Sequence, residues 1–386
     1  MSNSTWIVCI DGTWNQPGQT DRDPVSNEEV VEPSNIVKTW QYFTQRALPA
    51  RAARAFDDNA YGYIAPLDAS FGDGAAIYLN GVGGEKSAWL HRLFEGATGT
   101  GTSERIRDAY RFLAVRWEPG DRIYGFGFSR GAFAIRSLVG FVDLLGLPIG
   151  PRLLKEETLL GLYQIYRDQK PLDTSLISNW AFNVRFDFLG LWDTVGSLAM
   201  QDSVNRYHRI NPPNVHHVAH ALALDEQRKP FDASYWIASH GQEVDETWFR
   251  GVHTNIGGGY AGDDLSNITL VWMLNQARRG GLPGIVPEKI PGYTNRDVGE
   301  AIRHSYEDAM RKLGLVGQVC EKLDIERIRR RVADGQRIHS SVFSALELGQ
   351  QPGYTSYEPA AILPNDRPIT LDSAPPAKWG TPGDQP

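Results

Sequence analysis

The chain has two cysteines in 386 residues, Cys9 and Cys320, and that scarcity excludes a disulfide framework. Both read as buried thiols. No segment comes near the roughly 18 apolar residues of a membrane-spanning helix. Met1-Ser-Asn-Ser-Thr5 carries no basic residue, and the apolar run Trp6 to Ile10 is too short for a signal-peptide core. The chain therefore reads as made in the cytoplasm, with any export through a route that uses no cleaved signal. The formal net charge is −7, which argues against nucleic acid as a partner. Lipid and ester substrates stay open.

Two further absences narrow the chemistry. Asn80-Gly-Val-Gly-Gly-Glu-Lys-Ser87 has the glycines of a phosphate loop, but Glu85 stands where glycine must precede the lysine. Its carboxylate would repel a phosphate, so the stretch reads as a strand-to-helix turn and no cofactor is expected. His216 and His220 would share a face of a helix read over 215–226, yet no third ligand keeps a familiar spacing. No metal is expected either.

What is present is an ordinary globular balance, 41% apolar and 22% charged, enough for a large core in one α/β domain with insertions. Trp6–Ile10, Ala76–Leu79, the run ending at Phe128 and Val184–Trp192 read as buried strands. Ser34 caps a helix through Ile36, Val37, Trp40 and Phe43, and Ser103 opens another through Leu113. Residues 16–33 and 55–75 read as loops. The alternation predicts a mostly parallel sheet with helices on both faces. A catalytic domain is expected over 1–280, with a helical cap insertion at about 144–182. C-terminal helices follow at 297–313, 318–335 and 340–349 within an extension over 281–373, and a disordered tail spans 374–386.

The chemistry concentrates at three strand ends. Gly127-Phe-Ser129-Arg-Gly131 fits G-x-S-x-G, between the strand ending at Phe128 and a helix through Ala132, Ile135, Leu138 and Val142. That context makes a nucleophile elbow, with Gly127 and Gly131 leaving out Cβ atoms where strand and helix approach. The backbone N–H of Arg130 would face a developing oxyanion, and an N–H of Gly12 or Thr13, at the end of the first strand, would supply the second donor. Asp193 closes the next strand, and His253 ends a short strand (Trp248 to His253) before a glycine-rich loop. Alone, each has a plainer reading: a glycine-rich turn, an Asx turn, a turn-forming aspartate or a core histidine. Together Ser129, Asp193 and His253 stand in the α/β-hydrolase order, which points to ester cleavage through an acyl-enzyme. His339-Ser340-Ser341 lies outside any such context. A nucleotide-binding protein is disfavoured by the missing Gly-Lys-Ser/Thr, and a catalytically silent interaction module by the intact trio.

Asp11-Gly12-Thr13, Gly127 to Ala132, Trp192-Asp-Thr-Val-Gly196, His220 to Glu226 and Gly251-Val-His253 through Tyr260 resemble the α/β-hydrolase domain family that includes type VI secretion phospholipase effectors. The likeness spans about residues 6–280, with an echo at Ile338 to Ser341. It implies Ser129 as nucleophile, Asp193 as acid and His253 as base, acting on fatty acyl esters of glycerophospholipids. It also implies contact with a membrane surface and leaves any immunity or delivery partner unidentified. A general carboxylesterase is the close alternative. Arg250, Thr254 and Asn255 stand where the family usually has Pro, Ser and Asp.

Overall fold

The computed structural model describes residues 3–13, 15–46, 66–81, 100–150, 154–177, 179–196, 211–262, 264–294, 296–297, 302, 327–333, 336–349, 357–363 and 370–371. The N-terminal elements are β1 (Thr5–Ile10), β2 (Thr20–Arg22), β3 (Glu29–Val31), α1 (Asn35–Thr44), β4 (Leu67–Phe71), β5 (Gly74–Leu79), α2 (Thr100–Arg116), β6 (Arg122–Phe128) and α3 (Arg130–Leu145). Then come β7 (Leu147–Pro148), α4 (Glu156–Asp168), β8 (Trp180–Ala181), β9 (Phe186–Trp192), β10 (Val215–Ala223), β11 (Glu243–Phe249), α5 (His253–Gly257), α6 (Asp264–Arg279), β12 (Arg337–Ile338), α7 (Ser340–Leu348) and β13 (Thr370–Leu371).

Nine strands form one sheet in the order β13-β12-β11-β10-β9-β6-β1-β5-β4, parallel except for the β4–β5 pair. Side-chain alternation divides the core in two. Val8 and Ile10 of β1 face a cluster built with α2, α3 and α4. Ile7 and Cys9 face the opposite cluster, built with α1 and α6. Helices thus cover both faces, as an α/β-hydrolase-like sheet requires. The chain leaves β1 for β5 on one side and then crosses to β6 on the other. This reversal opens a crevice at the carboxyl ends of β1 and β6, where open α/β sheets bind their ligands.

Several expectations are corrected. Val215–Ala223 is strand β10, fully paired between β9 and β11, and not a helix. The pairing wins because every residue from His217 to Ala223 is buried, so the ladder satisfies its backbone where no water reaches. Residues 67–71, read as loop, form β4 and turn back onto β5. β2 and β3 make a hairpin inside the expected 16–33 loop. The helix read over 318–335 is absent at 327–333, which runs extended and bridges Arg228 and Ile362. β12 and β13 continue the main sheet, so the extension is joined to the domain's own core. Val332, Ile338 and Val342 pack there with Leu222 and Trp248.

The helix at 340–348 is present as α7. The insertion at 144–182 supplies α4, whose described contacts are with α2 and α3: Tyr166 donates to the Ser137 carbonyl and Arg107 pairs with Glu156. Residues 82–99, Cys320, most of the 297–313 and 318–335 helices and the 374–386 tail lie outside the described residues. Among the described residues no helix is long and apolar enough to cross a membrane.

Candidate active site

Ser129 follows β6 directly and caps α3, and it has φ 58° and ψ −123°. A non-glycine residue at positive φ is strained by about 1–3 kcal/mol and persists only where its surroundings force it. Here both neighbours force it. A Cβ on Gly131 would stand 2.2 Å from the Ile10 carbonyl oxygen, and one on Gly127 would stand 2.6 Å from Cα of Ala132. The backbone of β1, β6 and α3 therefore closes to contact around the serine. Ser129 N–H donates to the Trp192 carbonyl (2.9 Å), which ties the elbow to the strand that leads into Asp193.

Asp193, directly after β9, also takes positive φ, 39°. It is fully buried and accepts four hydrogen bonds: His253 Nδ1 (2.6 Å) and Arg330 Nη2 (3.0 Å) at Oδ2, Arg330 Nη1 (2.6 Å) and the Ala223 N–H (3.0 Å) at Oδ1. Burial alone would raise its pKa, but the Arg330 guanidinium, joined by the His253 bond, holds the carboxyl well below the usual carboxylate range.

His253 is the first residue of α5; it sits four residues past the end of β11 and not at a strand tip, and the expected loop is this short helix. Its Nδ1 is engaged by Asp193, so Nε2 is the nitrogen left for the serine. The Phe128 ring lies 4.7 Å from the imidazole and the Phe231 ring meets it edge-on at 4.9 Å. Burial lowers the His253 pKa below 6.5, against the raising pull of Asp193. Among the described residues Ser129 Oγ caps no helix N–H, and no hydrogen bond to His253 is formed. Catalytic hydrogen bonds are often long without substrate and tighten when it binds.

The loop after β10 holds His253 from behind. Asp225 Oδ2 accepts the Gly251 N–H (2.7 Å), and Glu226 Oε2 accepts the His253 N–H (3.2 Å). Glu226 is itself gripped by Arg228, through Nε to Oε1 and Nη2 to Oε2, both 2.8 Å. Asn255, where the family usually has Asp, accepts the Val252 N–H (3.1 Å) and so caps α5. Arg250, in place of Pro, stacks its guanidinium 4.7 Å from the Tyr357 ring, and Tyr357 donates to Asp225.

The oxyanion candidates divide. Arg130 begins α3, where N–H groups and the helix dipole favour negative charge. Gly12 lies against the elbow, since a Cβ there would be 3.2 Å from Cβ of Ser129. Its N–H, however, donates to its own neighbour Asp11 Oδ1 (2.8 Å), which leaves Thr13 as this loop's candidate. Asp11 Oδ2 is in turn held by Ser34 Oγ (2.6 Å) and the Tyr78 hydroxyl (2.8 Å). Burial pushes the Asp11 carboxyl up to about 6, against those hydrogen bonds.

Other polar clusters have structural work. His220, read as half of a helical pair, is buried in β10 and bonded to Glu246 (2.8 Å) and the Thr194 N–H (3.1 Å), while His216 is exposed. His217, Glu243 and Asp245 converge closely enough to hold a cation. Arg279 pairs with both carboxylates and Arg337 with Asp245, which already supplies the positive charge. His339 caps α7 through the Ser341 N–H and stacks on Phe249 at 4.5 Å.

Residues 4–276 match the family described as "T6SS, Phospholipase effector Tle1-like, catalytic domain". The uncharacterized protein YEL023C of Saccharomyces cerevisiae is 34% identical over 161 residues, 37% of this chain and 22% of that protein. A crystal structure of an uncharacterized protein from Pseudomonas aeruginosa aligns over 83% of this chain and 52% of its own, at 15% identity and a TM-score of 0.41. A Tle1 effector bound to the VgrG spike of the type 6 secretion system aligns over 67% and 51%, at 20% identity and a TM-score of 0.31. The chain thus spans about a fifth of the yeast relative and about half of each of these structures. Because the match covers well over half of the sequence, from β1 to within α6, the chain belongs to the Tle1-like phospholipase effector catalytic-domain family.

Proposed function

We propose that the protein is a serine hydrolase that cleaves carboxylic esters through an acyl-enzyme, with glycerophospholipids as its substrates in the manner of a phospholipase A. One observation carries this reading. A serine held at positive φ on a strand-to-helix turn shares the rim of the sheet with a buried His253–Asp193 pair at 2.6 Å. Family membership supports the choice of a lipid ester.

In this reading His253 Nε2 takes the Ser129 proton as Oγ attacks the ester carbonyl. The N–H groups of Arg130 and Thr13 receive the oxyanion, and Asp193 holds the imidazole in the tautomer with hydrogen on Nδ1. Collapse of the intermediate expels the lysolipid alcohol, which takes the proton from Nε2. Water then attacks the acyl-enzyme, giving its proton to His253, and fatty acid leaves as Oγ recovers a proton. A fluorophosphonate probe should label the wild type and not Ser129→Ala, and fatty acid release from phospholipid vesicles should vanish in the same variant. Labelling that survives the substitution refutes the nucleophile. Turnover of short soluble esters without release from vesicles would replace the lipid reading with that of a general carboxylesterase. Delivery by a type VI secretion route belongs to the same proposal. Its test is copurification of the full chain with a spike protein of that apparatus, and failure to associate refutes it.

A further inference from the structure

Arg330 lies beyond the matched residues 4–276, in the extended 327–333 segment, yet its side chain is fully buried against the acid. Nη1 reaches Asp193 Oδ1 (2.6 Å) and the Ala223 carbonyl (2.8 Å), and Nη2 reaches Asp193 Oδ2 (3.0 Å) and the Phe231 carbonyl. A bidentate guanidinium of this kind fixes a carboxylate in direction as well as in charge.

We propose that Arg330 is a positioning residue of the reaction: its fork sets the orientation of Asp193 toward His253 and limits how strongly the acid can stabilise a protonated base. The proposal rests on the Ser129–Asp193–His253 reading. The same Asp193 oxygen that meets His253 Nδ1 also meets Arg330 Nη2, so the guanidinium and the imidazolium formed in the reaction compete for one negative charge. Among the described residues the charged groups acting on the imidazole are Asp193 from the end of β9 and Glu226 and Arg228 from the loop after β10, with Arg330 behind Asp193; the rings of Phe128 and Phe231 add no charge. Glu226 is matched by Arg228, as Asp193 is by Arg330, which leaves little net negative charge to favour imidazolium. Burial, with Arg228 beside it, lowers the His253 pKa in the same direction. The serine, acid and base therefore depend on a residue of the C-terminal segment.

The test compares full-length wild type, Arg330→Gln, Arg330→Lys and Ser129→Ala, with ester hydrolysis followed against pH and the His253 ring followed by NMR titration. Glutamine keeps a donor but loses the charge. It should move the acid limb of the rate profile, and the ring titration, upward by about one pH unit. Lysine keeps the charge and loses the fork. It should leave the acid limb in place and lower kcat roughly tenfold or more, since misplaced groups act through geometry. An unmoved limb in Arg330→Gln, or a shifted limb or wild-type kcat in Arg330→Lys, overturns the proposal. If the glutamine variant does not fold, the lysine outcomes still decide. Hydrolysis retained by Ser129→Ala refutes the nucleophile instead, and the ring titration reports on Arg330 independently of turnover.

Discussion

Ser129 and Asp193 both occupy backbone conformations that ordinary side chains avoid, and strain at two of three proposed positions is a cost the fold accepts for their placement. Ser129→Gly should therefore be more stable than Ser129→Ala by about 1 kcal/mol in thermal unfolding, while both are inactive. Equal stability would mean that the surrounding glycines already relieve the turn. The base gives a pH prediction. Because the folded pKa of His253 lies below 6.5, the imidazole stays neutral where an exposed one would be half protonated. The acid limb of the rate profile should fall below pH 6.5. By linkage, the stability this group contributes is present above pH 6.5 and is lost as the pH drops through the folded value, since only the unfolded chain takes up the proton. Urea unfolding across that range, in wild type and His253→Gln, would show it as a difference in slope. At this scale the sequence was informative. The meeting of Asp193 with His253 was legible from chain order, although His253 stands four residues past β11 and not at a strand end. Glu226 and Arg330 were not, because a carboxylate in a loop and an arginine in a basic run carry no sign of what they meet.

The elements were legible where pattern and propensity agree. Ser34 and the apolar spacing of α1 give that helix, and Ser34 does cap it through the Val37 N–H. β10 was misread because Val-His-His-Val-Ala-His-Ala-Leu-Ala is rich in alanine, a strong helix former that strands disfavour. A strand buried on both faces shows a continuous apolar run, in which periodicity cannot tell strand from helix. Its alanines serve packing, for Ala219, Ala221 and Ala223 share a cluster with Leu270 and Met273 of α6. The loop after β1 depends on close approach as well. A Cβ on Gly81 would lie 1.6 Å from the Gly12 carbonyl oxygen. Gly81→Ala should push the Gly12-Thr13 turn off the elbow and lower kcat on the order of a hundredfold, the usual effect of losing an oxyanion donor. The chain would stay folded and the Asp193–His253 pair intact. A near-normal kcat would remove that loop from the mechanism.

For the whole molecule the divergence lies at the C-terminal end. A helical appendage was expected; α7 is helical, but 327–333 runs extended, and β12 pairs with the outer edge of β11. In the run Arg327-Ile-Arg-Arg-Arg331 the extended backbone sends Arg330 inward while Arg327, Arg329 and Arg331 are exposed. No helical reading would sort them so. Deleting residues from 327 onward would expose Leu222, Trp248 and the outer edge of β11, so the shortened chain should aggregate in size-exclusion chromatography and lack esterase activity. A monomeric, active product would show that the catalytic layer stands alone.

The order of synthesis gives this arrangement a consequence in time. A ribosome releases Ser129, Asp193 and His253 well before Arg330, so through part of translation the aspartate has no guanidinium to meet it. Burying that carboxylate earlier would leave a charge unmatched in the interior. The nascent domain should therefore stay loose around the future site, closing into its finished form only once the segment bearing Arg330 has emerged.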